Sequence, residues 1–112
     1  MNLRDRFAGF IKGLEEGVLP HEKAAKMGEE LDPVLVYFAM RWLREKHPPS
    51  DPRSSGVVQR VIEFSTTHPK FVSIARKGEQ DAMREWFDDT HSLREFSNTD
   101  QFVDLIIDKF DT

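Results

Sequence analysis

The stretch Asp32-Pro33-Val34-Leu35-Val36-Tyr37-Phe38-Ala39-Met40-Arg41-Trp42-Leu43-Arg44-Glu45-Lys46 decides the architecture of this chain. Asp32 offers a carboxylate to the first free amides of a helix. Pro33 suits the first helical position, where its missing amide would have had no partner in any case. From Val34 to Met40 the residues are apolar apart from the Tyr37 hydroxyl. Successive helical residues are about 100° apart, so this run covers the whole circumference. A helix apolar all round is buried on most sides, and 33–46 is therefore expected to be the central element.

Working outward, the segment before it predicts two helices. Leu3, Phe7, Phe10, Ile11, Leu14 and Val18 form one apolar stripe at 3–4 spacing, giving a first helix from about Leu3 to Glu16. Gly9, Gly13 and Gly17 form a line of small residues that admits a close neighbour, either within the chain or across a dimer axis, and Gly17 is a plausible C-cap. Pro20 and Glu22 suit the start of a short second helix with a thin face of Ala24, Ala25, Met27, Gly28 and Leu31.

After the central helix, His47-Pro48-Pro49-Ser50-Asp51-Pro52 cannot continue a helix, because each proline lacks a donor and restricts its predecessor. This Pro-rich connection at 47–53 is short, and the helices on either side each need a partner, so 1–112 is read as one domain. A fourth helix follows from Ser54 or Ser55 to Thr67, with Val57, Val58, Val61, Ile62 and Phe64 expected in the core. A short fifth helix spans 69–77 and is expected to stop at Gly78. Another runs from 79 to about 88 with Ala82, Met83, Trp86 and Phe87 on one side. Ser92-Leu93-Arg94-Glu95 fits a capping box and starts one more helical turn. Asn98 and Thr99 then cap a last helix over 100–110, with Phe102, Val103, Ile106, Ile107 and Phe110 opposite a line of Asp100, Asp104 and Asp108. The fold class expected is all-α, an irregular bundle of about six helices in a single domain.

The totals agree with a folded chain. Its 112 residues are 38% hydrophobic, 32% charged and 11% aromatic, too apolar for a disordered segment. There is no cysteine, so disulfides, thiolate-bound metals and a cysteine nucleophile are excluded. The longest uncharged run, 33–40, is too short to cross a bilayer. No apolar region follows the charges of Met1–Phe7, so a secretory leader is not expected. The expected location is cytoplasmic and off the membrane.

Chemistry-bearing patterns are scarce. No Glu-x-x-His, His-Glu-x-x-His, Gly-x-Ser-x-Gly, Ser-x-x-Lys or phosphate-binding glycine loop is present. The nearest approach to a metal set is Asp88, His91 and Glu95, across an expected helix break. His21, His47 and His68 lie at helix ends or beside proline. No catalytic residue, cofactor or metal is therefore assigned. Net charge is −4, with the deficit in the second half. The one basic concentration is Arg41, Arg44 and Lys46 with Arg53 and Arg60, divided by the prolines, so nucleic acid is not the expected partner.

What remains is a crowd of aromatics. Trp86 and Phe87 are adjacent and cannot both occupy one narrow buried stripe, and the same holds for Tyr37 and Phe38. An aromatic left near the surface beside acidic residues resembles a protein-binding patch. The function expected is a non-enzymatic protein–protein interaction module, with Trp86, Asp88, Asp89, Arg94 and Glu95 as its contact set and a homodimer as one possible state. The alternatives are a small-molecule domain, marked by a closed apolar pocket around Tyr37, Trp42 and Phe64, and a nucleic-acid domain, marked by a continuous basic face from Arg41 to Arg60.

Overall fold

The computed structural model describes residues 2–48, 50–85 and 98–110. Among them lie six α-helices and no strand: α1 (Leu3–Glu16), α2 (His21–Glu30), α3 (Pro33–Lys46), α4 (Ser55–Thr67), α5 (Lys70–Glu85) and α6 (Thr99–Phe110). A single 3₁₀ turn, Pro52–Ser54, leads into α4. The fold is an all-α bundle, as the apolar spacing predicts.

Helix α3 is the axis. The Asp32 carboxylate accepts the Val34 amide at 2.9 Å, and all seven side chains from Val34 to Met40 are buried, with Trp42 and Leu43. Its neighbours surround it. The Trp42 ring stacks on Phe102 of α6, centroids 4.6 Å apart and 8° from parallel. Its indole N–H donates to the Thr99 hydroxyl at 3.3 Å, so a polar group inside the core is satisfied. Burying an aromatic of this kind stabilises by roughly 1.5–3 kcal/mol.

Helix α1 lies against α6. Its Arg4 donates to Asp104 at 2.9 Å and Asp100 at 3.1 Å, and Lys12 donates to Asp100 at 2.9 Å. These bonds, the Lys12 one foremost, hold the Asp100 carboxyl below the usual carboxylate range. Phe7, Phe10 and Ile11 are fully buried within the chain. The glycine line is taken up internally as well: a Cβ at Gly13 would come within 2.7 Å of Leu19, and one at Gly9 within 3.4 Å of Met27. The close neighbour of α1 is thus α2 and the segment entering it.

Two expectations are corrected. Gly78 does not stop a helix; α5 is continuous from Lys70 to Glu85. The glycine is needed because a Cβ there would stand 1.9 Å from the Pro33 carbonyl oxygen and 2.9 Å from Tyr37 Cβ. Here α5 meets the start of α3 almost backbone to backbone. The continuation of that helix to about residue 88, and the capped turn from Ser92, fall outside the described residues. Second, of the five apolar residues of α4 expected in the core, only Phe64 is fully buried; Val57, Val58 and Val61 are half-buried and Ile62 is 53% exposed. Positions two apart on a helix are about 200° apart. With Phe64 in the core, touching Phe10 and Phe71, Ile62 must face the other way.

Candidate functional site

The outward face of α4 does not meet solvent alone. Between it and the α3–α5 pair runs a groove of about 470 Å³. Each wall contributes one helical face. From α3 come Tyr37, Met40 and Arg44, from α4 Val61, Ile62, Ser65 and Thr66, and from α5 Phe71, Val72, Ala75, Arg76 and Glu79. All three sets have the i, i+3 or i+4 spacing that brings side chains together on one side of a helix. The groove exists because α3 and α5 close on each other at Gly78, where no side chain keeps them apart. Helix α4 is held instead from the side of α1.

That attachment is specific. Gly17 takes a left-handed conformation, φ 69°, and closes the C-terminal end of α1. Arg60 of α4 reaches the carbonyls left free there, donating from Nε to Leu14 O at 3.1 Å and from Nη2 to Glu15 O. Beyond it, the Glu15 carboxylate meets His47 Nε2 at 2.8 Å and Lys46 Nζ at 3.3 Å. Burial pushes the Glu15 carboxyl up, but the His47 hydrogen bond and the Lys46 charge outweigh it and hold the group below its ordinary range.

The floor of the groove is apolar. Tyr37 and Met40 are 9% exposed and Phe71 is 1% exposed. The Tyr37 hydroxyl is taken by Arg41 Nη1 at 3.1 Å, and the Thr66 hydroxyl donates back to the Ile62 carbonyl at 2.9 Å. The rim carries two exposed apolar side chains on facing walls, Ile62 and Val72, the latter 38% exposed. It also carries Arg44, Arg76 and Glu79, all exposed. Neither arginine is ion-paired among the described residues.

The two alternatives named from sequence, and the proposed contact set, can now be placed. Tyr37 lines the groove, but Trp42 and Phe64, 1% and 0% exposed and packed on other rings, are not part of its lining. The residues from Arg41 to Arg60 do not make a free basic face. Arg41 pairs with Glu45, Lys46 with Glu15 and Arg53 with Asp51, while Arg60 binds the end of α1, which leaves Arg44 as the one cation of that stretch with no such partner among the described residues. The contact set Trp86, Asp88, Asp89, Arg94 and Glu95, and the set Asp88, His91 and Glu95, lie outside the described residues. Among those described, no three His, Asp or Glu side chains converge as a metal would require. No helix among them is long and apolar enough to cross a membrane.

The spacing of α4 points Ile62 into the core rather than to a rim, yet a signal for its outward position is present. The apolar positions Phe64, Val57, Val61, Val58 and Ile62 span an arc of about 160°, wider than one neighbouring helix covers. Comparison with protein-family models, curated proteins and solved structures finds no match. The groove therefore has to be read from its own chemistry.

Proposed function

We propose that this chain is a non-enzymatic protein-interaction module, a regulator, adaptor or inhibitor, that receives a cytoplasmic partner in the groove between α3, α4 and α5. The observation that supports it is the pair of exposed apolar side chains, Ile62 and Val72, standing on opposite walls of an apolar floor. Large apolar side chains gathered at one exposed place are typical of an interaction site, whereas single scattered ones are ordinary. Trp86, Asp88, Asp89, Arg94 and Glu95, which follow α5 in the chain, remain the second contact set proposed.

Photo-cross-linking tests the reading directly. A photoreactive side chain at position 62, and in a separate variant at position 89, is irradiated in the native cytoplasm. The reading expects a discrete protein adduct that Trp86→Ala removes from the position-62 variant and Ile62→Asp removes from the position-89 variant. Adducts with nucleic acid, or none beyond solvent quenching, refute it. An adduct with a second copy of the chain makes the module a homodimer.

One observation favours a second reading. A volume of about 470 Å³ lies inside the roughly 300–1,000 Å³ range of small-molecule sites. Under that reading, an amphiphilic ligand such as laurate perturbs the Val61, Ile62 and Val72 methyl resonances at micromolar concentration.

A further inference from the structure

We infer that the occupant of the α3–α4–α5 groove is an amphipathic helix of another protein whose apolar stripe is flanked by carboxylates; this rests on the groove being a protein-docking site. The placing of the exposed apolar side chains, the backbone and the charge each select that chemistry. A ligand small enough to lie on Tyr37, Met40 and Phe71 would leave Ile62 and Val72 in water. A helix, about 10 Å across with its side chains, presents a stripe of side chains that can reach floor and rim together.

The backbone of the groove gives the second argument. Its lining residues all belong to the helices α3, α4 and α5, whose mid-helix amides and carbonyls are paired along the helix and offer no row of free groups. No sheet edge is offered, so an extended segment would find nothing to pair with and would bury unsatisfied backbone groups. A helix brings its backbone already satisfied, and meets a groove through residues at i, i+3, i+4 and i+7.

Charge supplies the flank. Arg4, Lys12, Arg41, Lys46, Arg53 and Lys70 are each held by a carboxylate of this chain. Arg44 and Arg76, exposed on the α3 and α5 edges of the groove, are not ion-paired among the described residues. Carboxylates beside the partner's apolar stripe complement them. Glu79, one turn beyond Arg76 on α5, is the single acidic group of the rim and gives the partner a direction, with its acidic end away from Glu79.

Two synthetic helices test this against the full chain. Both carry leucine at i, i+3, i+4 and i+7; one is flanked by glutamate and the other by lysine. Binding is followed by fluorescence anisotropy and by the methyl resonances of Val61, Ile62 and Val72. The glutamate-flanked helix is expected to bind about tenfold more tightly, and Arg44→Glu with Arg76→Glu to reverse the preference. Both arginines are exposed, so the helical circular dichroism of the double variant stays that of the parent. Should the double reversal unfold, Arg44→Gln and Arg76→Gln separately each weaken the glutamate-flanked helix about threefold. Equal affinities, a preference for lysine, a preference untouched by the arginine variants, or binding of neither helix overturns the inference. In those cases the docking reading still stands or falls by the cross-linked adduct. Binding of laurate at the groove methyls with neither helix bound overturns both.

Discussion

At Gly78 a single hydrogen atom sets the distance between two helices. Any larger side chain meets the Pro33 carbonyl at 1.9 Å, and that carbonyl belongs to the first turn of the most deeply buried helix. Gly78→Ala is therefore expected to destabilise by about 2–3 kcal/mol, despite alanine's better helix propensity of about 1 kcal/mol, because backbone cannot step aside as a side-chain tip can. Gly56→Ala is the matched control. It is also helical, but its nearest obstacle is the end of Arg60 at 3.6 Å, so it is expected to be neutral or slightly stabilising. Urea denaturation of the two variants beside the parent gives the comparison. Equal midpoints would mean that α5 does not need this close approach.

At the scale of elements, the joint between α1 and α4 carries the consequences. Arg60 donates two bonds to the last carbonyls of α1, and bonds from a charged donor contribute about 1.5–3 kcal/mol. Arg60→Met keeps the stem and removes the donors, so it is expected to cost about 2 kcal/mol in thermal unfolding. Glu15 makes the same joint sensitive to acid. Its folded pKa lies below the ordinary 4.5, so its stabilisation is complete above that pH and disappears as pH falls through the depressed value. The stability difference between parent and Glu15→Gln, about 1 kcal/mol at neutral pH, is expected to shrink in acid below the ordinary carboxylate range and to vanish once Glu15 is protonated. A difference independent of pH would mean that packing, not charge, is what Glu15 supplies. These elements also show what is legible in sequence. Asp32-Pro33 and the unbroken apolar run specify α3 from local chemistry alone. Gly78 is ambiguous, because a glycine that ends a helix and one that admits another helix look alike until the neighbour is known. Ile62 is misassigned for the same reason: spacing marks a side chain as apolar and gives its angle on α4, but not whether anything lies opposite. Arg60 reads as a surface cation, since nothing local ties it to a helix end 45 residues earlier.

For the whole molecule, burial is distributed unevenly. Helix α3 contributes nine buried residues and α4 one, Phe64. Segments with little buried apolar surface open locally at a fraction of the global free energy. Native-state hydrogen exchange is therefore expected to show the α4 amides exchanging through local opening, while α3 amides exchange only with global unfolding. Identical protection in the two helices would mean that the joint through Arg60 and Phe64 holds α4 as firmly as the core does. A partner lying in the groove would slow exchange in α4 more than in α3, which makes the same measurement a map of docking.

The separation of the α3–α5 seam from the outer wall has a use in protein engineering. The fully buried side chain of α4, Phe64, faces the core, whereas Ile62, Ser65, Val72 and Arg76 line the groove and none of them is fully buried. A combinatorial library at those four positions varies the shape and charge of the recognition surface while leaving the scaffold intact, so the chain is a starting point for selecting cysteine-free binders to helical epitopes.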